Sequence, residues 1–271
     1  MLQAKSNLTA TALNDVSQSD MAGLQARLRV LADQLDGYVQ KYEFRKDSRA
    51  IFTFAYVILT RTLAQKLPQT EFGDPGWVVG LAENFGARYV AALETSVQQP
   101  SQVPAAWQVV FDAVHRKRTS VLEDLIFGMT AHIVHDLPLS LTEVGMSDSQ
   151  GRSRIYDFHR MNDVLAVDIQ PIANGVTDRY EPFFRWLDQL EQTQTLILTN
   201  FGFRLSRGVA WYNANRLLDP KSAELAHTAI TRSVATLVET IQNPPFWSLR
   251  IVFRMLRFVA TLFRRWPRPS A

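Results

Sequence analysis

The stretch GMTAHIVHDLP, residues 128–138, carries the strongest structural signal in this chain of 271 residues. Gly128, His132 and Asp136 recur at every fourth position, so an α-helix places them on one face. Pro138 disfavours the helical conformation at the residue before it, and we therefore predict that this helix ends near Asp136. A carboxylate at that end meets the negative pole of the helix dipole. The sequence thus predicts a positive partner for Asp136: an arginine, a protonated histidine or a metal ion.

A second pair of histidine and carboxylate follows the first. His159 and Asp163 are again four residues apart, and Asn162 shares their helical face. His135 stands beside the first pair. Imidazole nitrogen and carboxylate oxygen are ligands that zinc accepts in proteins without thiolates, and this chain has no cysteine. The alternative is structural: a buried His–Asp pair that closes a contact between two helices.

Almost every other segment shows the apolar spacing of three and four residues that indicates an amphipathic helix. Asp74 and either Thr119 or Ser120 are predicted N-caps. No stretch alternates polar and apolar residues, so we predict an all-α fold, a single bundle of about eight or nine helices. The predicted segments outside the two histidine pairs are Met21–Gln40, Ile51–Leu67, Pro75 through Leu93, Pro104 through Val114, Pro182 through Leu218, Ser222–Ile241 and a last helix after Pro245.

Charge is distributed unevenly, although the net charge is only +3. Residues 245–271 contain six arginines and no acid, which leaves 23 basic and 26 acidic residues in the rest of the chain. We predict a flexible tail over residues 1–20, a helical domain over 21–243, and a basic amphipathic helix with a short tail over 244–271. Basic residues elsewhere are interspersed with acids, which argues against nucleic acid as a partner. Residues 1–20 lack the pattern of a secretory signal, so we expect a cytoplasmic location.

The last helix combines arginines with large apolar residues. Arg250, Arg254, Arg257 and Arg264 follow one narrow stripe, and most of the other positions are apolar. Four arginines argue against a transmembrane span. Two interpretations remain open. The helix packs in the core or a subunit interface and pairs its arginines with acids elsewhere, or it contacts an anionic membrane peripherally through residues 245–266.

Several segments resemble a bacterial family known as domain of unknown function 5995. The likeness covers most of residues 45–240, and the run Gly-x-x-x-His-Ile-x-x-Asp-Leu-Pro is its most specific part. This resemblance implies a shared fold and supplies no activity. The residues that carry it are Phe72–Trp77 through Leu93, Pro104–Trp107, Gly128–Pro138, Asp157–Asp163 and Ser206–Trp211.

The two His-x-x-x-acid steps are also similar to the zinc-dependent phospholipase C and S1/P1 nuclease group, which are all-α phosphoesterases with three zinc ions. Carried over residue by residue, this local resemblance implies that His132, Asp136, His159 and Asp163 are metal ligands. That group also uses its N-terminal residue and early histidines, whereas this chain has no histidine before His115. The resemblance therefore implies one or two ions at most.

The first function that these observations suggest is a metal-dependent hydrolase. A divalent metal, zinc in the first place, would be held by His132, Asp136 and His159 and would activate water to hydrolyse an ester or a phosphoester. His135 or Asp163 would supply a further ligand or the general base. Asn162, on the same face as His159, is a further candidate catalytic residue.

The second function is a metal-free helical pocket that binds or isomerises a hydrophobic small molecule, such as an isoprenoid or a lipid. His132 and Asp136 would then be a polar anchor or an acid–base pair in an apolar cavity. The shape of the site discriminates between the two functions. A large apolar cavity next to His132 favours the pocket, and a tight arrangement of His and Asp around an ion-sized point favours the metal.

Overall fold

The computed structural model describes residues 18–115, 119–166, 169–182 and 200–267. Within those ranges every regular element is a helix, and the β-type pairing is limited to an isolated antiparallel bridge between Ser147 and Ser153. The predicted all-α class is confirmed. The tail predicted over residues 1–20 lies largely outside the described residues, and its last three residues already belong to the first helix.

Eleven α-helices and one π-helix are described in these ranges. The π-helix, Ala131–Asp136, joins α5 to α6 in one continuous rod, so the described residues hold ten rods, close to the predicted eight or nine. The sequence did not predict α8 as a separate helix, because Pro171, Asn174 and Gly175 weaken its helical propensity. The α-helices are α1 Gln18–Phe44, α2 Arg49–Lys66, α3 Pro75–Gln98, α4 Ala105–His115, α5 Val121–Thr130, α6 Leu137–Val144, α7 Ile155–Ala166, α8 Ile169–Tyr180, α9 Asn200–Leu218, α10 Ala223–Gln242 and α11 Trp247–Phe263.

Two of the predicted N-caps fix the starts of helices around the site. The Asp74 side chain accepts a hydrogen bond from the backbone N–H of Trp77 at 2.9 Å and so begins α3. Of the two candidates before α5, Ser120 is the N-cap, and it forms a capping box with Glu123. These local signals depend on residues close together in the sequence, which is why the sequence identified Asp74 and limited the cap of α5 to two adjacent residues.

The prediction that the helix ends near Asp136 is wrong. At Ala131 the chain changes from α-helical to π-helical hydrogen bonding, and the N–H of Leu137 donates to the carbonyl of His132, five residues back. Pro138 then lies in the first turn of α6, where its missing N–H is not needed. The shifted hydrogen-bond register lets the rod continue past a proline that ordinarily ends an α-helix.

One apolar core extends from α1 to α10, and α2 lies at its centre. This helix packs against α1, α5, α7 and α8. Phe52 and Tyr56 on its inner face meet Tyr89 of α3 and Trp107 of α4 in a cluster of aromatic rings around His132. The π-helix therefore lies in the middle of the bundle, surrounded by aromatic side chains.

The C-terminal helix α11 is ordered but packs through a narrow face. Phe253, Leu256 and Ala260 are buried, whereas much of its remaining apolar surface is exposed. The predicted arginine stripe is divided between two environments, since Arg257 and Arg264 meet buried carboxylates of α5 while Arg250 and Arg254 are exposed. Among the described residues, no helix is long and apolar enough to cross a membrane.

Gly128 lies where α5 packs closely against Phe52 of α2, and it gives the first prediction. A Cβ atom at Gly128 would lie 2.2 Å from Cγ and 2.6 Å from Cβ of Phe52, and a Cβ cannot move away by a rotamer change. We expect Gly128→Ala to lower the free energy of unfolding by about 1–3 kcal/mol, measured by urea denaturation. Gly37→Ala on the exposed face of α1, where nothing lies within 4 Å, is the control and should raise stability by about 0.5–1 kcal/mol. Equal stability of Gly128→Ala and the natural protein would contradict the close approach.

Candidate functional site

The polar centre of the bundle is the buried carboxylate of Asp136. Its Oδ2 accepts hydrogen bonds from Nδ1 of His132 at 3.0 Å and from the indole Nε1 of Trp107 at 2.9 Å. Its Oδ1 accepts one from Nδ1 of His135 at 2.8 Å. Burial alone raises the pKa of Asp136, but the bonds from the two histidines outweigh it and hold that pKa below its usual range. The carboxylate is therefore ionised, and its partners are three ring N–H groups.

His132 is neutral and has a defined tautomer. Burial lowers the pKa of His132, and the bond to Asp136 offsets only part of that effect. An ionised carboxylate can only accept hydrogen bonds, so the single proton of the neutral imidazole lies on Nδ1. The other nitrogen, Nε2, carries a lone pair, and it is buried without a hydrogen-bond partner among the described residues. Leaving a buried acceptor unpaired costs about 1–3 kcal/mol of stability. Such an unpaired group is expected where a bound ligand supplies the missing donor.

The orientation of the His132 ring is fixed by its aromatic neighbours. Phe85 stacks on it with ring centroids 3.5 Å apart and an angle of 8° between the planes. Tyr56 approaches edge-on at 4.7 Å and Phe52 at 5.7 Å. The ring itself lies on the π-helix, an element that recurs at functional sites. His132 is thus held in place by the stacked ring of Phe85, by the neighbouring aromatic rings and by the hydrogen bond through Nδ1.

An apolar cavity of about 70 Å³ lies beside His132. Its polar side chains are His132, Tyr56, Thr60 and Arg207. Burial raises the pKa of the Tyr56 hydroxyl, which therefore remains protonated and can donate a hydrogen bond. The apolar lining is formed by Phe52, Leu59, Leu63, Leu81, Ala82, Phe85, Met129, Ile133, Leu137, Met161, Leu165 and Phe203.

Arg207 of α9 is the second unusual polar group at this cavity, since only 3% of it is exposed. Its Nε donates to the amide oxygen of Asn162, and its Nη2 contacts the sulfur of Met161 at 3.1 Å. The rings of Phe158 and Phe203 lie 4.8 and 5.5 Å from the guanidinium carbon. Burial lowers the pKa of Arg207 to about 10, which leaves it charged at neutral pH. Among the described residues, no carboxylate pairs with this cation.

The structure separates the two predicted histidine pairs. His132, His135 and Asp136 are hydrogen-bonded together, whereas His159 is exposed on α7. Asp163 is partly exposed and pairs with Arg204 of α9 at 2.5 Å. In the part of the chain that the structure describes, no three His, Cys, Asp or Glu side chains converge on a point that would hold a metal ion. The predicted ligand set of His132, Asp136 and His159 is therefore not brought together.

The donor groups near His132 do not fit a metal ion either. His132 and Asp136 bind each other through Nδ1 and Oδ2, so Nε2 lies on the far side of the ring from the carboxylate and the two cannot chelate one ion. A zinc site needs at least three protein ligands. The charged side chain of the cavity wall is Arg207, a cation, which cannot serve as a ligand. The hydrolase and the zinc ion remain sequence-based predictions without support from this arrangement.

Three residues of the site were not assigned to it from the sequence: Trp107, Tyr56 and Arg207. A buried indole N–H requires an acceptor, which is a signal for Trp107, but nothing local identifies Asp136 as that acceptor. The spacing of Arg207 and Trp211, four residues apart, allows either a cation–π stack between them or a place in the lining of a pocket. In the structure Trp211 packs against Phe158 at 5.0 Å, and Arg207 lies at the cavity.

The fold and the site define a helical-bundle protein with a buried His–Asp pair beside an apolar cavity. The family described as "Family of unknown function (DUF5995)" matches residues 28–244, and the chain belongs to that family. The match includes every residue of the cavity and ends before α11. Searches among curated proteins and among solved structures found no match.

The protonation state of His132 gives the second prediction. Its folded-state pKa lies below the unfolded value of about 6.5, so its contribution to stability is complete above that pH and is lost as the pH falls through the folded pKa. The variant His132→Gln has no titrating group at this position, so it does not lose stability in this way as the pH falls. We therefore expect the natural protein to be the more stable at pH 7 and the difference in unfolding free energy to narrow toward pH 5, measured by denaturation at each pH.

Two further observations check this prediction. His159→Gln on the exposed face of α7 is the matched control and should change stability little at either pH. Nitrogen NMR of the side chain should show the proton of His132 on Nδ1. A proton on Nε2, or a stability difference that stays constant with pH, would contradict the assignment.

Proposed function

We propose that this protein binds a small hydrophobic molecule in the cavity between α2, α3, the π-helix and α9, without a metal ion, and that His132 accepts a proton or a hydrogen bond from it. The observation that carries the proposal is the buried lone pair of Nε2 on a ring that forms part of an apolar cavity; in the part of the chain that the structure describes, this nitrogen has no hydrogen-bond partner. Apolar cavities with a few converging polar groups are the usual form of small-molecule sites.

The His132–Asp136 pair has the features of an acid–base group. Asp136 holds the Nδ1 proton and would stabilise the imidazolium that forms when Nε2 takes up a proton. Trp107 and His135 keep the carboxylate in place, so the pair does not need to reorganise. This arrangement supports proton abstraction and return within one bound molecule, which is the chemistry of an isomerase.

The size of the cavity limits what it accepts. An apolar cavity of about 150 Å³ in another protein holds benzene, so about 70 Å³ admits an apolar group of a few carbon atoms. The rings of Phe52 and Phe85 and the side chain of Met129 would surround that group. A branched chain of four or five carbons fits this description.

The proposal is tested by titrating the full-length protein with 3-methylbutan-1-ol and with 1-chloro-3-methylbutane, which has the same chain but no hydroxyl proton. Binding is followed through the methyl resonances of Met129 and Leu81. We expect both to bind, and the alcohol to bind about tenfold more tightly because its hydroxyl donates to Nε2 of His132.

Two variants separate the parts of this result. Ala82→Leu extends into the cavity from α3 and should weaken both probes, since it occupies their volume. His132→Phe keeps a stacked ring but removes Nε2, so it should abolish the advantage of the alcohol alone. His227→Phe, an exposed position on α10, is the control for the substitution. If neither probe perturbs Met129 and Leu81 in the natural protein, the cavity is not the binding site.

A further inference from the structure

We infer that the ligand of the cavity carries a negative charge, and that Arg207 binds it as a carboxylate or a similar small anion. This inference rests on the proposed pocket and adds the chemical class of its ligand. It starts from the surroundings of the guanidinium group. Asn162 and Met161 are its polar contacts among the described residues, and neither carries a charge.

A buried cation without a counterion is unfavourable, and several other buried charges among the described residues have an oppositely charged partner. Glu123 is paired with Arg257 at 2.7 Å, and Asp124 with Arg264 at 3.1 Å. Arg207 departs from this pattern at the position where it borders the cavity. A ligand anion would supply the missing charge and could accept two parallel hydrogen bonds from the guanidinium.

Among the described residues of the cavity wall, Arg207 is the group that carries a positive charge. His132 is neutral, and the carboxylate of Asp136 already accepts three N–H bonds. Phe158 and Phe203 lie over the guanidinium and restrict its motion. An apolar acid would therefore place its chain among the aromatic rings and its carboxylate on Arg207.

The test compares 4-methylpentanoate with 4-methylpentanamide, a neutral molecule of the same shape, by calorimetric titration of the full-length protein. We expect the acid to bind at least tenfold more tightly than the amide. Arg207→Gln should remove this preference while the amide still binds. Arg204→Gln, one turn earlier on α9 and exposed, is the matched control and should keep the preference.

The outcomes separate this inference from the proposed function. If the natural protein binds the acid and the amide equally, or if Arg207→Gln keeps the preference, the anion site is wrong even though the pocket stands. If 3-methylbutan-1-ol and both of these probes fail to bind, the pocket itself is wrong. If Arg207→Gln does not fold, the natural protein still provides the test. Equal binding of 4-methylpentanoate and 4-methylpentanamide to it would overturn the inference.

A separate observation concerns the outer face of α11, which we propose binds an anionic lipid bilayer. Five large apolar residues lie on this face at spacings of three and four, on the side of the helix away from Phe253 and Leu256. Between 46% and 74% of each is exposed. We call this surface the outer stripe; it consists of Trp247, Ile251, Met255, Phe258 and Leu262.

The charges around the outer stripe identify the bilayer as its occupant. Arg250 and Arg254 lie exposed along one edge of it, and residues 245–271 contain no acid. In a symmetric dimer these arginines would face their own copies and repel each other. A bilayer with anionic headgroups accepts the apolar side chains and the arginines together, as it does for interfacial helices.

The inner arginines of α11 attach the helix to the bundle. Arg257 and Arg264 pair with carboxylates in the first turn of α5, and the N–H of Arg265 donates to the carbonyl of Tyr180 at 2.8 Å. The family match ends at residue 244, so α11 follows the part of the chain that the family defines. The outer stripe would hold the whole bundle at a membrane surface.

Co-sedimentation of the full-length protein with vesicles tests this proposal. We expect binding to vesicles of 70% phosphatidylcholine and 30% phosphatidylglycerol at low salt, and at least tenfold weaker binding to pure phosphatidylcholine. The double variant Trp247→Asp, Phe258→Asp should abolish binding, and Arg254→Gln should weaken it about fivefold. Leu225→Asp, equally exposed on α10, is the matched control and should bind as the natural protein does.

The proposal is overturned if the protein does not sediment with the anionic vesicles, if it binds neutral vesicles equally well, or if the double variant still binds. A dimer in analytical ultracentrifugation that the double variant dissociates, without vesicle binding, would assign the outer stripe to a second copy of the chain instead.

Discussion

Burial of the Asp136 carboxylate imposes the strictest requirement on this fold. An ionised group inside a bundle is tolerated only when donors surround it, and Asp136 has three: one from Trp107 of α4 and two from histidines of its own π-helix. Meeting this requirement fixes the position of α4 against the central rod. It also fixes the tautomer of His132, so the lone pair of that ring lies on Nε2. The hydrogen bond from His132 that helps to stabilise Asp136 therefore also leaves the Nε2 lone pair on a ring that lines the cavity.

The bundle treats its buried charges in two ways. The acids in the first turn of α5 pair with Arg257 of α11 and with Arg264, the residue after that helix, whereas Asp136 is stabilised by hydrogen bonds from N–H groups. Within the described ranges Arg207 has only neutral contacts, and it borders the same cavity as His132. These two polar groups would orient a bound molecule within the otherwise apolar cavity. Under the proposed function, Arg207 would select the charge of the ligand and His132 its proton, while the aromatic walls would select its shape.

The π-helix connects the fold to the site. An α-helix through Ala131–Asp136 would meet Pro138 in its interior, where the ring clashes with the preceding turn. The π-helical register moves Pro138 into the first turn of α6 and keeps the rod continuous. It also gathers His132, His135 and Asp136 into one buried segment. A distortion that accommodates a proline thus coincides with the residues that the candidate site uses.

The sequence by itself determined the all-α class, the N-cap at Asp74, the choice of Thr119 or Ser120 as the N-cap of α5, and the shared helical face of His132 and Asp136. Each depends on residues at most four positions apart, and at that range the helical geometry alone decides. Only the tertiary structure placed His159 in solvent, Arg207 at the cavity and Trp107 on Asp136. Helical periodicity assigns a residue to a face of its helix. The packing of helices far apart in the sequence decides which faces meet. Any apolar face can be buried against any other, and only the fit of their shapes selects the pairs that form.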